Sequence, residues 1–236
     1  QHRLTVSDGL VESTETKVDF VTVTVMPRVI WVSVDGGEDG DGSAENPFNT
    51  IQGGINDAVD GDTVLVHPGG YTENIDFTGK AIAVISSSGP DVTIIYGGDM
   101  GSVVTFQSGE DQQSLLAGFT ITGGDAEQGG GIYCSGSSPR LEYLVVRGNL
   151  AFDGGGLYFN NSDPQLKRVV ASGNRALESG GGAYLFESAP AFFNTTVAAN
   201  TGLVGGGIFI TNSIETDTVE FINSILWAND NSQVSF

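Results

Sequence analysis

Between residues 129 and 229 the chain repeats one pattern of apolar and polar positions. Glycine triplets begin at Gly129, Gly154, Gly180 and Gly205, every 25 or 26 residues. Each triplet is followed by a short apolar segment: Ile132-Tyr133-Cys134, Leu157-Tyr158-Phe159, Ala183-Tyr184-Leu185 and Ile208-Phe209-Ile210. A serine then recurs at Ser137, Ser162, Ser188 and Ser213, with Pro139, Pro164 and Pro190 two residues after the first three. A second apolar segment leads to Asn149, Asn174, Asn200 and Asn229. Segments of three to six residues at this period predict a solenoid of strands, since nothing between the triplets carries a long helical period. A leucine-rich solenoid is excluded because the Leu-x-x-Leu-x-Leu core is missing.

The expected fold is therefore an all-β, right-handed parallel β-helix of about 25 residues per coil. Parallel, in-register pairing stacks each column of the repeat on itself at about 4.8 Å. Stacked asparagines can then bond to one another up the ladder, and triple glycine permits close approach of successive coils. Leu141, Leu144 and Val146 match Leu166, Val169 and Ala171 as an inward set. Phe192 and Phe221 are 29 residues apart, which reads as a loop bulging at a corner before Phe221.

Upstream, weaker copies are visible at Thr63–Val66, Ala81–Val84, Val92–Ile95, Val103–Phe106 and around Phe119 and Ile121. Residues 50–59 place Ile51, Ile55 and Ala58/Val59 on one helical face, a short helix suited to plug the end of the solenoid. Residues 1–28 differ: Leu4–Gly9 and Phe20–Val25 alternate apolar and polar around a polar turn, as a hairpin does. The expected organisation is 1–28 as the end of a preceding module or linker, 29–62 as first strand, acidic loop and capping helix, and 63–236 as coils.

Composition narrows the partners. The 236 residues carry 35 glycines, 29 acidic against 9 basic side chains and a net charge of −20. Such a polyanion repels nucleic acid and anionic lipid, and no apolar run is long enough to span a membrane, so neither nucleic acid nor membrane insertion is expected. The charge suits a saline medium or one rich in divalent cations, where screening limits self-repulsion. The single cysteine, Cys134, excludes an internal disulfide and reads as a small core residue. The chain opens Gln1-His2-Arg3-Leu4 without a signal peptide and ends just after a β-rich stretch, as a processed piece of a longer protein would. Open coils at its ends could pair end to end with another copy.

These motifs resemble the pectin-lyase-like right-handed β-helix repeat family of secreted bacterial proteins. The resemblance rests on Asp39–Ser43 with Asn46–Gln52, on Gly61–Val64 with Pro68–Tyr71, on Gly118–Gly124 with the triplets, and on Asn223–Asn229. Residues 1–26 look like the last strands of an immunoglobulin-like PKD module. The family includes polysaccharide lyases, hydrolases and members without assigned activity, so the resemblance implies the fold far more firmly than a reaction.

Three chemistries are open: catalysis, as a lyase or a hydrolase; calcium binding alone; and the binding of a ligand. A uronate lyase needs a cation such as calcium and a basic residue of lowered pKa, and Arg168, in a column with Tyr143 and Asn194, is the candidate base. Lys167 shares a column with Glu142, which predicts a cross-strand ion pair. A hydrolase needs converging carboxylates, for which Asp153 and Glu178 precede successive triplets. Calcium alone could use Asp35, Asp39 and Asp41 in a Gly-rich acidic loop, although its spacing is not that of an EF-hand. The third chemistry is binding: Tyr133, Tyr158, Tyr184 and Phe209 face outward by alternation, beside Ser135, Asn160, Phe186 and Thr211. Such a ladder suits a polysaccharide or cell-surface glycan, or else the rings stack on one another and cover the neighbouring glycines. The expected role is adhesive, glycan-contacting or structural without catalysis, with a calcium-dependent lyase and a filament subunit as alternatives.

Overall fold

In the computed structural model, residues 26–211 and 218–236 are described. They form a parallel β-solenoid of about six turns with about 26 residues per turn and a single short helix. The hairpin expected within residues 1–25 and the loop expected before Phe221, at 212–217, lie outside the described residues.

Each regular coil has four strands. In one coil these are Arg140–Glu142, Val145–Arg147, Leu150–Asp153 and Leu157–Asn160, after which Gln165–Lys167 begins the next. Stacking turns them into four sheets. The first sheet has eight strands from Val29–Gly37 to Glu220–Ile222. The second runs from Gly69–Thr72 to Ile225–Trp227 and the third from Ile75–Asp76 to Val234–Ser235, with seven strands each. The fourth is a short wall of Asp125–Gln128, Leu150–Asp153 and Arg175–Ala176. All the strand pairings are parallel and in register, so Tyr133 pairs Tyr158, which pairs Tyr184, which pairs Phe209.

The repeat columns seen in the sequence are the corners. In the regular coils every corner holds one residue in the left-handed region, which bends the chain within two or three residues. Between first and second sheets that residue is Gly118, Tyr143, Arg168, Asn194 or Asn223. Between third and first sheets it is Gly136, Asn161 or Glu187. The triplets turn the chain from wall to third sheet. Gly154 supplies the positive φ, while a Cβ on Gly156 would stand 2.6 Å from the Gly182 carbonyl oxygen and 2.9 Å from Asn174 Nδ2. No larger residue fits between the coils there.

Two polar ladders satisfy the corner backbone inside the solenoid. Asn174 Nδ2 donates to the Val146 carbonyl at 2.9 Å, and its Oδ1 accepts from both Asn149 N and Asn149 Nδ2. Asn200 repeats this on Asn174, and Asn229 on Asn200. At the last rung Gln233 Oε1 takes the place of a further asparagine and accepts from Asn229 Nδ2 at 2.7 Å. The serine ladder runs from Ser188 through Ser162 to Ser137 and ends on the buried Glu110, whose carboxylate also accepts from Gly79 N and Ser108 N. Among the described residues no buried side-chain polar atom lacks a partner, as a dry interior requires.

The core is continuous. Ile132, Cys134, Leu157, Phe159, Ala183, Leu185, Ile208 and Ile210 are buried as the alternation predicts, as are the inward sets of Leu141 and Leu166. Cys134 is a buried free thiol whose pKa burial drives well up, as expected of a core residue. The strand expected at Ala81–Val84 lies at Ala83–Ser86, and that at Val92–Ile95 lies at Thr93–Tyr96. In each case the first one or two apolar residues belong to the corner.

The helix Ile51–Asp57 closes the first coil, with Ile51, Ile55 and Ala58 buried and Val59 left in solvent. Thr50 caps it through Gly53 N, and the Glu73 carboxylate accepts from Ile51 N and Gln52 N at 2.8 and 2.9 Å. Burial pushes the Glu73 carboxyl up despite those two bonds. Arg28 enters the solenoid tied to the buried Asp62 through its backbone N–H and guanidinium. Burial works to raise the Asp62 carboxyl, but hydrogen bonds from Arg28 and Val59 outweigh it and hold it below the ordinary range.

Candidate functional site

The outward column of the third sheet reads, from the capped end, Asp76, Thr105, Tyr133, Tyr158, Tyr184, Phe209 and Ser235. Four of these seven are aromatic and consecutive. Their rings stack: Tyr133 on Tyr158 at 5.6 Å and 12°, Tyr158 on Tyr184 at 5.0 Å and 16°, Tyr184 on Phe209 at 5.2 Å and a wider 43°.

Stacking changes what the ladder can offer. Tyr158, turned outward as alternation predicts, is only 5% exposed because the rings stack, the second of the two outcomes left open by the sequence. Its two faces are covered by neighbouring rings, and its hydroxyl accepts a 3.0 Å bond from Gln128 Nε2 on the wall. The middle of the ladder is thus packed surface. Burial is the main reason that the Tyr158 phenol is pushed up to about 12, helped by Tyr184, Tyr133 and Asp153 nearby. Tyr184 is raised for the same reasons, burial and then Asp153.

The end of the stack is different. Tyr133 has an aromatic neighbour on one side, while on the other the column continues as Thr105, whose small side chain leaves a ring face uncovered. An open groove of about 490 Å3 lies there, lined by Gly101, Ser102, Thr105, Gln107, the wall strand Asp125–Gln128, and Tyr133. Its floor is the third sheet and its side is the first strand of the wall. Gln107 Nε2 is held by the Asp76 carboxylate at 3.1 Å. Asp125 and Glu127 are solvent-exposed, and neither carboxylate accepts a hydrogen bond within the described residues.

Beyond the groove the wall continues upward. The column of Gln128 becomes Asp153 and then Glu178, so the two acids expected to meet across coils are neighbours. Burial raises the Asp153 carboxyl and the Glu178 charge raises it further, against a bond from Ser179 N that lowers it. The rim position after Glu127 is Phe152, 48% exposed, and then Leu177, 43% exposed.

The other expected site residues lie elsewhere. Arg168 sits on the corner between the first and second sheets in a left-handed conformation, exposed, and far around the coil from the groove. The register of Lys167 with Glu142 is as expected, but Glu142 meets Arg140, at 3.8 Å, in place of Lys167. Lys167 alternates outward on the first sheet and is free to extend into solvent. Asp35 ends on the first strand, and Asp39 and Asp41 follow it in the loop, all exposed. That loop is organised by its own bonds: Asp41 accepts from Ser43 N, which with the Ser43 side chain lowers its carboxyl, and Asn46 Nδ2 donates to the Asp39 carbonyl. Among the described residues no three His, Cys, Asp or Glu side chains converge as metal ligands.

The sequence pattern singled out Tyr133 but missed the rest of the groove, whose parts lie outside the regular copies of the repeat. Thr105, Gln107 and Gly101 precede the first triplet, and Asp125–Gln128 is a polar strand. The one signal available was the small column Ala126, Ala151, Ala176, which marks the wall as a strand stack with one face inward. Comparison with protein-family models, with curated proteins and with solved structures finds no match in any of the three.

Proposed function

We propose that this chain is a non-catalytic β-helix of the pectin-lyase-like type, secreted or displayed at the cell surface, that contacts a glycan in the groove at Tyr133. The observation that carries the reading is the break in the aromatic column. Tyr133 ends a rigid stack and turns a free ring face into a groove lined by hydroxyl, amide and carboxylate groups. An apolar ring face beside a few hydrogen-bonding groups is what a pyranose needs, with its alternating C–H faces and equatorial hydroxyls. The stack behind Tyr133 holds the ring in place, so little side-chain freedom is lost on binding. The groove lining holds none of the Lys or Arg that the uronate-lyase reading calls for, and Arg168 lies on a different corner.

The test is a binding survey with soluble oligosaccharides by calorimetry, comparing the native chain with Tyr133→Ala and Tyr184→Ala. Binding that disappears in Tyr133→Ala and persists in Tyr184→Ala supports the groove. Equal loss in both variants moves the site onto the ladder as a whole, and binding untouched by Tyr133→Ala overturns the proposal.

A further inference from the structure

Resting on the reading of the groove as a glycan site, we infer that its ligand is an amino sugar polymer bearing free ammonium groups, and that uronates are rejected. The groove supplies two elements such a ligand needs and one that a uronate cannot tolerate. The first is the uncovered face of Tyr133, whose electron-rich ring attracts a cation placed over it. The second is charge: Asp125 and Glu127 are the charged residues of the lining, both exposed and both without an internal donor. Carboxylates that fold without a partner are available to an incoming cation at no cost in broken bonds.

The charge also has direction. Asp76 lies one coil below Thr105 in the floor column, and Asp153 and Glu178 lie one and two coils above Gln128 in the wall column. Carboxylates therefore follow the wall at successive coil spacings of about 4.8 Å, with Asp76 below them on the third sheet. The first cation in the Asp125 column is Arg175, two coils on. A polymer laid along the solenoid axis meets acids in three successive coils from the groove upward, beside the apolar rim of Phe152 and Leu177. Glycan carboxylates would face repulsion along the same track, deepened by the net charge of −20. Burial and then the Glu178 charge raise the Asp153 carboxyl, and an ammonium near it would offset that charge.

The experiment measures calorimetric binding of a glucosamine hexamer, its N-acetylated counterpart and a galacturonate hexamer to the full chain. Two double variants are compared, Asp125→Asn with Glu127→Gln in the groove, and Asp35→Asn with Asp39→Asn in the remote loop. The expected result is binding of the glucosamine hexamer alone, weakened about tenfold or more by the groove variant, little changed by the loop variant, and weakened by added salt. Equal weakening by both variants would show a general polyanion effect and overturn the inference. N-acetylated hexamer bound as tightly as glucosamine would overturn charge selection while leaving the glycan groove standing, and strongest binding of the galacturonate would do the same. No binding of any hexamer would take down the proposed function together with the inference.

Discussion

The middle of the aromatic ladder and its lower end are built from the same residue type on the same sheet, yet they present different surfaces. At Tyr158 the column is unbroken, and the ring is flanked on both faces and bonded to the wall by Gln128. At Tyr133 the column breaks to Thr105, and a groove opens beside Gly101 and Asp125. Where each coil repeats its neighbour in this column, each ring is covered by the ring one turn away. Regularity gives stability and consumes the chemistry of the surface. A site needs a place where the repeat fails. In this chain that place is the junction between the degraded coils before Gly129 and the regular coils after it.

If that comparison is right, substitutions in regular coils should cost stability, and those at the junction should cost binding. The largest effect is expected at Asn174→Ala. It removes the bond to the Val146 carbonyl and leaves Asn149 N and Nδ2 without their buried acceptor. Two or three orphaned groups predict a loss of about 4 kcal/mol, measurable as a lowered denaturant midpoint. Retention of the native midpoint would mean that water enters the corner and that the ladder is not a dry structural element.

Glycine substitutions sharpen the contrast. Gly156→Ala places a Cβ against the backbone of the next coil and the side chain of Asn174, which predicts about 3 kcal/mol of destabilisation. Gly101→Ala, beside the groove, meets nothing within 4 Å and has only its positive φ of 67° to pay for, about 1 kcal/mol. Thermal unfolding of the two variants should differ widely; equal losses would make the junction as tightly packed as the regular coils.

The sequence revealed the regular half of this contrast and hid the other. Columns at Gly129, Ser137 and Asn149 could be read because one physical requirement recurs every coil, so each residue type is written four times. The left-handed corner at Tyr143, Arg168 and Asn194 was not legible, since side chains so different share only a backbone angle. For Tyr158 alternation correctly turned the ring outward and left open that the rings stack on one another, as they do; the bond from Gln128 was hidden, because it comes from a polar wall strand. The groove is an absence in a column, and periodicity reports what repeats.

A smaller effect separates the two tyrosines. Tyr158→Ala removes a ring stacked on both faces and predicts a loss of about 2 kcal/mol with glycan binding reduced only through Tyr133's support. Tyr133→Ala removes a ring stacked on one face and predicts about half that loss, with binding abolished. The pair should be followed by calorimetric binding and chemical denaturation on the same samples. Stability and binding falling in the same proportion for both would erase the distinction between ladder and end.

The remaining expected effect is alkaline. Burial raises the phenols of Tyr158 and Tyr71 from the ordinary value of 10.0 to about 12, which favours their neutral forms in the folded state. The folded chain then holds these protons more tightly than the unfolded chain. The resulting stabilisation is fully present below pH 10.0, and is lost as the pH rises towards about 12. Denaturant midpoints followed over that window should fall. Tyr158→Phe should begin from a lower midpoint, having lost the Gln128 bond, and should fall less steeply because one of the two raised phenols is gone. An unchanged slope would mean that the Tyr158 hydroxyl meets water as freely in the folded chain as in the unfolded one. In that case the stacked ladder would be open along its whole length, and nothing would distinguish its middle from its end.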